Sequence, residues 1–397
     1  MTGPCLVLRR ITRATLLAAS LATPTMAATR PDWRVPSDPT TNGAVDVDPG
    51  TPIDLGTENA PKPEATLTFA PIPFKNSQVG WGLMLMALSI HRFDPDTTIG
   101  PSTGGVGGFY TENHSWGLMA FEAARLAHDT WRVRVGLSHF DINYKFYGIG
   151  EEAGNAGHSV DLSQTMDFGM GTALYRVVPN LYFGPALVWM RTRASLESAT
   201  LPPDIQAPSD DFGSADLFAP GVQGERDHRN DDYWPTTGSL GKVKAWFFTK
   251  ALGGSRDFQR YVAAWSQYVP LPRRFTLAAN ANMLAAAGDV PFYMLPSVGS
   301  GENGLRGYTQ GRYRDKVVVT LQAEARWHAE GRMGATIFGG FAQVAPSVGQ
   351  LSDALVLPGG GVGLRYQLTH EYPMHMRFDV AWGRKETLFY FSVGEAF

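Results

Sequence analysis

From about Thr66 to Phe397 the chain alternates apolar and polar residues with a period of two. A period of two is the signature of strands whose two faces meet different surroundings. In "MHMRFDVAW" (374–382), Met374, Met376, Phe378, Val380 and Trp382 share one face, and His375, Arg377, Asp379 and Ala381 share the other. "VVVTLQAEARW" (317–327) sets Val319, Leu321, Ala323, Ala325 and Trp327 against Thr320, Gln322, Glu324 and Arg326. "WRVRVGL" (131–137) and "GVGLRYQL" (361–368) repeat the pattern, with Arg132, Arg134, Arg365 and Gln367 on the polar face. The chain is therefore all-β. Its composition agrees, with only 18% charged residues but 12% aromatics and 44 glycines, poor in helix formers and rich in what strands and turns use.

A soluble sandwich and a transmembrane barrel both alternate in this way. Three features favour the barrel. The segments run to ten residues or more, the length a tilted membrane strand needs, where sandwich strands average nearer five or six. Aromatic residues fall at segment ends, where Trp131, Trp327, Phe341, Trp382, Phe389 and Phe397 would form interfacial girdles. Connections alternate between tight ones, near 328–332 and 370–373, and long ones at 145–160, 194–216 and 287–314. Counting back from the last segment predicts an antiparallel barrel of about 16 strands, the one before Ser77 being the weakest in pattern. On this phase Glu324, Arg326, Arg365, Arg377, Asp379, Arg132 and Arg134 line a polar lumen and pair with one another.

The first residues have the form of a secretory signal peptide, 1–27. Arg9, Arg10 and Arg13 precede the short apolar run "ATLLAASLA", and small residues follow near Ala27. Cys5, the single cysteine, lies inside it, so neither disulfides nor thiolate-bound metal is expected. Residues 28–65 carry seven prolines among Asp, Thr and Gly without hydrophobic periodicity, as a flexible periplasmic linker would. A net charge of −3 offers no basic face for nucleic acid. His91, His114, His139, His158 and His375 are scattered, without a Gly-x-Ser-x-Gly turn or zinc-protease spacing. "DHRNDD" (227–232) reads as a hydrated turn. No cofactor, metal or catalysis is expected.

Two stretches carry a resemblance. The end of the chain, "LFYFSVGEAF", alternates Phe389, Phe391 and Val393 and finishes on Phe397, like the C-terminal signal that delivers barrel proteins to the machinery inserting them in the outer membrane. "GENGLRGYTQGRYRD" (301–315) resembles the long-loop motif of the BamA/TamA superfamily, also called the bacterial surface antigen family, with Leu305, Arg306, Gly307 and Tyr308 on the motif. "RDHRNDDYWPTTG" (226–238), "VPFYMLPSVGSGENGLRGY" (290–308) and "FYGIG" (146–150) are similar to further family segments.

The resemblance implies a 16-stranded outer-membrane barrel domain over 66–397, with its long loop folded into the lumen after the eleventh strand. Gly301, Gly304 and Gly307 would let that loop turn sharply and carry Arg306 inward. The sequence departs from the family twice. Residues 28–65 have no room for the POTRA repeats that engage clients. Gly340 and Ala342 stand where the family often has an Asp-x-Gly facing the loop arginine, leaving Glu324 and Asp379 as candidate partners. The implied function is an insertion or translocation platform of a Gram-negative outer membrane. Its partners would be membrane lipid and lipopolysaccharide, the barrel assembly machinery during biogenesis, and a periplasmic partner or passenger protein. Alternatives are a passive pore or structural surface-antigen barrel and, more remotely, a barrel lipase or protease.

Overall fold

The computed structural model describes residues 66–397 apart from 95, 97–98, 197–204, 206–210, 300–303, 330 and 369–372. The expected signal peptide and linker, and Gly301, thus lie outside the described residues. Sixteen strands form among the described residues. They are β1 (Thr66–Asn76), β2 (Gly80–His91), β3 (Ser102–Thr111), β4 (Trp116–Leu126), β5 (Trp131–Phe146), β6 (Val160–Val178), β7 (Leu181–Leu196) and β8 (Gly213–Asp227). The second half comprises β9 (Gly238–Phe248), β10 (Phe258–Leu271), β11 (Phe275–Gly288), β12 (Val317–His328), β13 (Met333–Ala345), β14 (Leu357–Gln367), β15 (His375–Trp382) and β16 (Thr387–Val393). Each pairs antiparallel with its sequence neighbours, and β1 meets β16 to close the barrel. A six-residue helix, α1 (Glu151–Ala156), sits in the β5–β6 connection.

The outer face is apolar and open: Leu85, Leu118, Leu137, Ile337 and Leu364 are all exposed. Apolar area of that extent has no place in water and is the band a bilayer covers. Trp131 begins β5, Trp327 lies one residue from the end of β12, and Trp382 ends β15. Phe341 departs from the expected girdle, since it sits in the middle of β13. Phe397 departs further. The chain turns at Gly394, whose φ is 90°, and Glu395 is drawn to Arg365 at 2.8 Å. Phe397 is thereby carried inward, its ring 5.3 Å from the Arg326 guanidinium.

Inside, the expected polar wall occupies only part of the circumference. On β8 to β15 the inward phase carries Gln223, Glu225, Asn280, Gln322, Glu324 and Arg326. On β1 to β6 the pairing brings a different set onto one surface. Ile72 and Phe74 lie beside Met84 and Gly82, Phe109 beside Met84, and Phe140 beside Met166. These stretches are apolar on both faces, whereas the start of β5 turns Arg132 and Arg134 inward. The alternation that identified the later strands therefore fades here, because the inner wall does not face bulk water.

The closure is uneven. Eleven residue pairs join β1 to β2 and seven join β15 to β16, but β1 meets β16 at Lys75↔Phe391 alone among the described residues. Pro71 and Pro73 supply the reason. Proline has no N–H to donate, which confines it to strands lacking a full partner on one side. The β1–β2 ladder is unbroken, so the deficit falls on the β16 side.

Candidate functional site: an inward loop and the seam beside it

The connection between β11 and β12 folds back into the barrel, burying Leu305, Arg306, Tyr308 and Tyr313 to 5% exposure or less. Backbone chemistry explains how it seats. Gly307 has φ 104°, and a Cβ there would stand 2.8 Å from the Trp382 carbonyl oxygen. Opposite, a Cβ on Gly359 would meet the Arg306 carbonyl oxygen at 2.7 Å. Glycine on both sides lets loop and wall backbones touch. Leu305, Tyr308 and Tyr313 pack with Val298, Val318 and Leu357 against the inner wall of β12 to β14.

Arg306 is then delivered into a set of buried charges. Its Nη1 donates to Asp379 Oδ2 at 2.6 Å and its Nη2 to Glu324 Oε2 at 2.5 Å. The guanidinium carbon lies over the Phe338 ring, 3.4 Å from its centroid. Where an Asp-x-Gly was looked for, β13 thus offers a stacking surface in place of a carboxylate. The two carboxylates are shared onward. Glu324 Oε1 accepts from Arg326 Nε at 3.0 Å, and Asp379 Oδ1 accepts from Arg365 Nη1 at 2.6 Å. Sequence reading passed over Phe338 and Glu395, which complete the cluster. Their only signal was the inward phase of one and the proximity to chain end of the other.

Glu324 is fully buried beneath the loop. The polar lumen expected around it is filled at this point by the loop and its ion pairs. A second ion cluster stands near the short-turn end: Glu225 accepts from Arg132 at 2.8 Å and from Arg134 at 2.9 Å. Around the loop, Tyr308 donates to the Pro358 carbonyl at 2.6 Å. Burial raises the pKa of the Tyr308 and Tyr313 phenols, which keeps both as neutral donors.

Further along, the loop spans the seam. Gly307 N–H donates to the Tyr390 hydroxyl of β16 at 2.9 Å, and Thr309 N–H to Glu386 of the β15–β16 hairpin at 3.0 Å. Gln310 N–H donates to Ser77 of the β1–β2 turn at 3.1 Å. Arg312 ties the loop to α1 through the Gly154 carbonyl at 2.9 Å and to Glu386 at 2.9 Å.

Other expected features resolve as follows. Phe389, Phe391 and Val393 fall on the outward phase of β16, since the inward phase belongs to Tyr390, opposite the buried Asp379. The 227–232 turn is more than a hydrated loop. Arg229 makes a two-pronged contact with Asp227, at 2.9 Å each, and Trp234 is buried against the His375 ring, 4.2 Å away. The histidines are not all isolated. Ser89 Oγ lies 3.3 Å from His91 Nδ1, and His91 Nε2 lies 3.2 Å from Glu122, on the outward face of β2 and β4. Ser89 is paired on both sides, to Leu67 and Gly104. The local backbone is thus committed to ladders and forms no oxyanion cradle, and we assign no catalysis to this trio. Among the described residues no helix is long and apolar enough to cross a membrane.

Comparison with known proteins places this architecture. BamA from Haemophilus ducreyi lacking POTRA domains 1–3 shares the fold at a TM-score of 0.57 and 16% identity, covering 84% of this chain and 70% of that one. CdiB from Acinetobacter baumannii gives 0.51 at 12% identity, covering 83% and 65%. CdiB from Escherichia coli gives 0.53 at 12% identity, covering 83% and 67%. No curated protein matches the chain. The Omp85 superfamily domain matches residues 110–397. That stretch holds the inward loop, its wall of partners and the last strand, and the chain belongs to the Omp85 superfamily.

Proposed function

We propose that this barrel assists the insertion or export of protein at a Gram-negative outer membrane, working through the β1–β16 seam and without a cofactor. The observation that carries the reading is the single pair Lys75↔Phe391 at that seam. In a bilayer each unpaired backbone N–H or C=O costs several kcal/mol. An incompletely zipped seam is therefore a standing template onto which an incoming strand can pair. The plugging loop argues against a passive pore, because it occupies the lumen a solute would cross. A passenger or periplasmic partner would supply the client. Lipid and lipopolysaccharide surround the barrel, and the barrel assembly machinery inserts it.

Lys75→Cys combined with Phe391→Cys places two thiols at directly opposed positions, within disulfide reach. In proteoliposomes offered a urea-unfolded β-barrel client, the reduced variant should accelerate client folding over empty liposomes. Oxidation should abolish the acceleration, and reductant should restore it. Equal acceleration by the locked and open forms would overturn the seam mechanism.

A further inference from the structure

A cavity of about 840 Å³ lies in the lumen between the inward loop and the inner wall of β1 to β6. That volume falls in the range of small-ligand sites. One side of it is Phe74, Met84, Phe109, Met119, Phe140 and Met166. Methionine and phenylalanine make a soft, adaptable apolar surface. The other side carries Lys244, Arg260, Arg314 and Arg377, and among the described residues no carboxylate lines the cavity. A cation buried beside an apolar wall without a counter-charge is electrostatically incomplete.

Two of them make the deficit specific. The Arg260 side chain forms no hydrogen bond or ion pair among the described residues. Arg377 has Nε and Nη1 buried without a hydrogen bond. Its neighbouring carboxylate, Asp379 at 3.5 Å, is already held by Arg306 and Arg365. The buried lumen arginines away from the cavity, Arg132, Arg306, Arg326 and Arg365, have carboxylate partners. The contrast sets the cavity apart from the rest of the interior.

We propose that this cavity binds one anionic membrane lipid, its acyl chain against the β1–β6 wall and its phosphate or carboxylate head at Arg260 and its neighbouring cations. An extended polypeptide fits less well, since its backbone N–H and C=O groups would lie unpaired against Met and Phe. The surroundings also favour lipid. Phe74 of β1 and Tyr390 and Ser392 of β16 line the cavity, so it abuts the sparsely paired seam, beyond which lies the bilayer. The site stands independently of whether the seam passes protein.

Native mass spectrometry of the folded protein in dodecyl maltoside tests it, with phosphatidylglycerol, oleate and phosphatidylcholine as probes. One phosphatidylglycerol or oleate should stay bound under activation that strips phosphatidylcholine. Arg260→Gln should lower that retention about tenfold, the scale of one charge-assisted bond. Inorganic phosphate should not displace the lipid. Equal retention of phosphatidylcholine, indifference to Arg260→Gln, or displacement by phosphate alone would each overturn the proposal. So would an apolar peptide that outcompetes the lipid. Should Arg260→Gln fail to fold, the wild-type protein suffices. A phosphatidylglycerol with a photoactivatable acyl chain should crosslink at Met84 or Met119, and crosslinks confined to the outward Leu85 and Leu118 would rule the site out.

Discussion

Arg306 shows what one side chain can hold together. A planar guanidinium reaches two carboxylates at once, Asp379 on β15 and Glu324 on β12, while stacking on Phe338 of β13. Lysine offers a point charge and no plane, so Arg306→Lys should behave as a loss. Removing one partner from a buried pair leaves a charge uncompensated, at about 3–5 kcal/mol. Arg306→Ala should lower the urea midpoint of the folded barrel accordingly, read by its heat-modifiable gel mobility. In double-mutant cycles with Glu324→Ala and Asp379→Ala the combined losses should fall short of the sums by about 1–3 kcal/mol. Strict additivity for both pairs would mean that Arg306 anchors nothing. At this scale the motif arginine and the inward phase of Glu324 and Asp379 were readable as letters. Phe338 was not, because a stacking surface leaves no charge pattern in a strand. Phe397 was misplaced, because its position depends on a turn at Gly394 and on the pull of Arg365 upon Glu395.

At the scale of the strand, β1 deserves a test of its own. "TLTFAPIPFKN" has outward Leu67 and Phe69 and two prolines, and those prolines make its weak pattern intelligible. They mark an edge strand inside a closed sheet. Replacing Pro71 and Pro73 with valine restores two donors and should extend the ladder to β16. Amides of residues 389–393 should then exchange with deuterium more slowly, and client insertion should fall. Unchanged exchange in β16 would separate the prolines from the open seam. The strands from β7 onward were legible by alternation because lipid outside and polar partners inside differ sharply. Apart from the start of β5, where Arg132 and Arg134 alternate with valines, strands β2 to β6 were legible by length and turns, since methionines and phenylalanines face inward there.

At the scale of the whole molecule, the interior is divided. One arc of the wall binds the loop through buried ion pairs and a small apolar core, and the other arc leaves a soft-walled chamber with cations across it. Total charge and composition report neither arc, because both are averages over a ring. Only closure of the ring brings Arg260 opposite Met119.

The bonds that Gln310 makes to the β1–β2 turn and Thr309 to the β15–β16 hairpin have a thermodynamic corollary. Loop seating and seam closure share those contacts, so they are linked equilibria, and linkage is reciprocal. Whatever factor an unseated loop takes from the closed population of the seam, an opened seam takes from the seated population of the loop. Gly307→Ala, which forces a non-glycine residue to positive φ and into the Trp382 carbonyl, should lower the equilibrium fraction of the 75–391 disulfide in a glutathione redox buffer. Forming that disulfide in the parent should protect residues 305–315 from protease by the same ratio. If either effect occurs without the other, the loop and the seam are two independent devices that happen to touch.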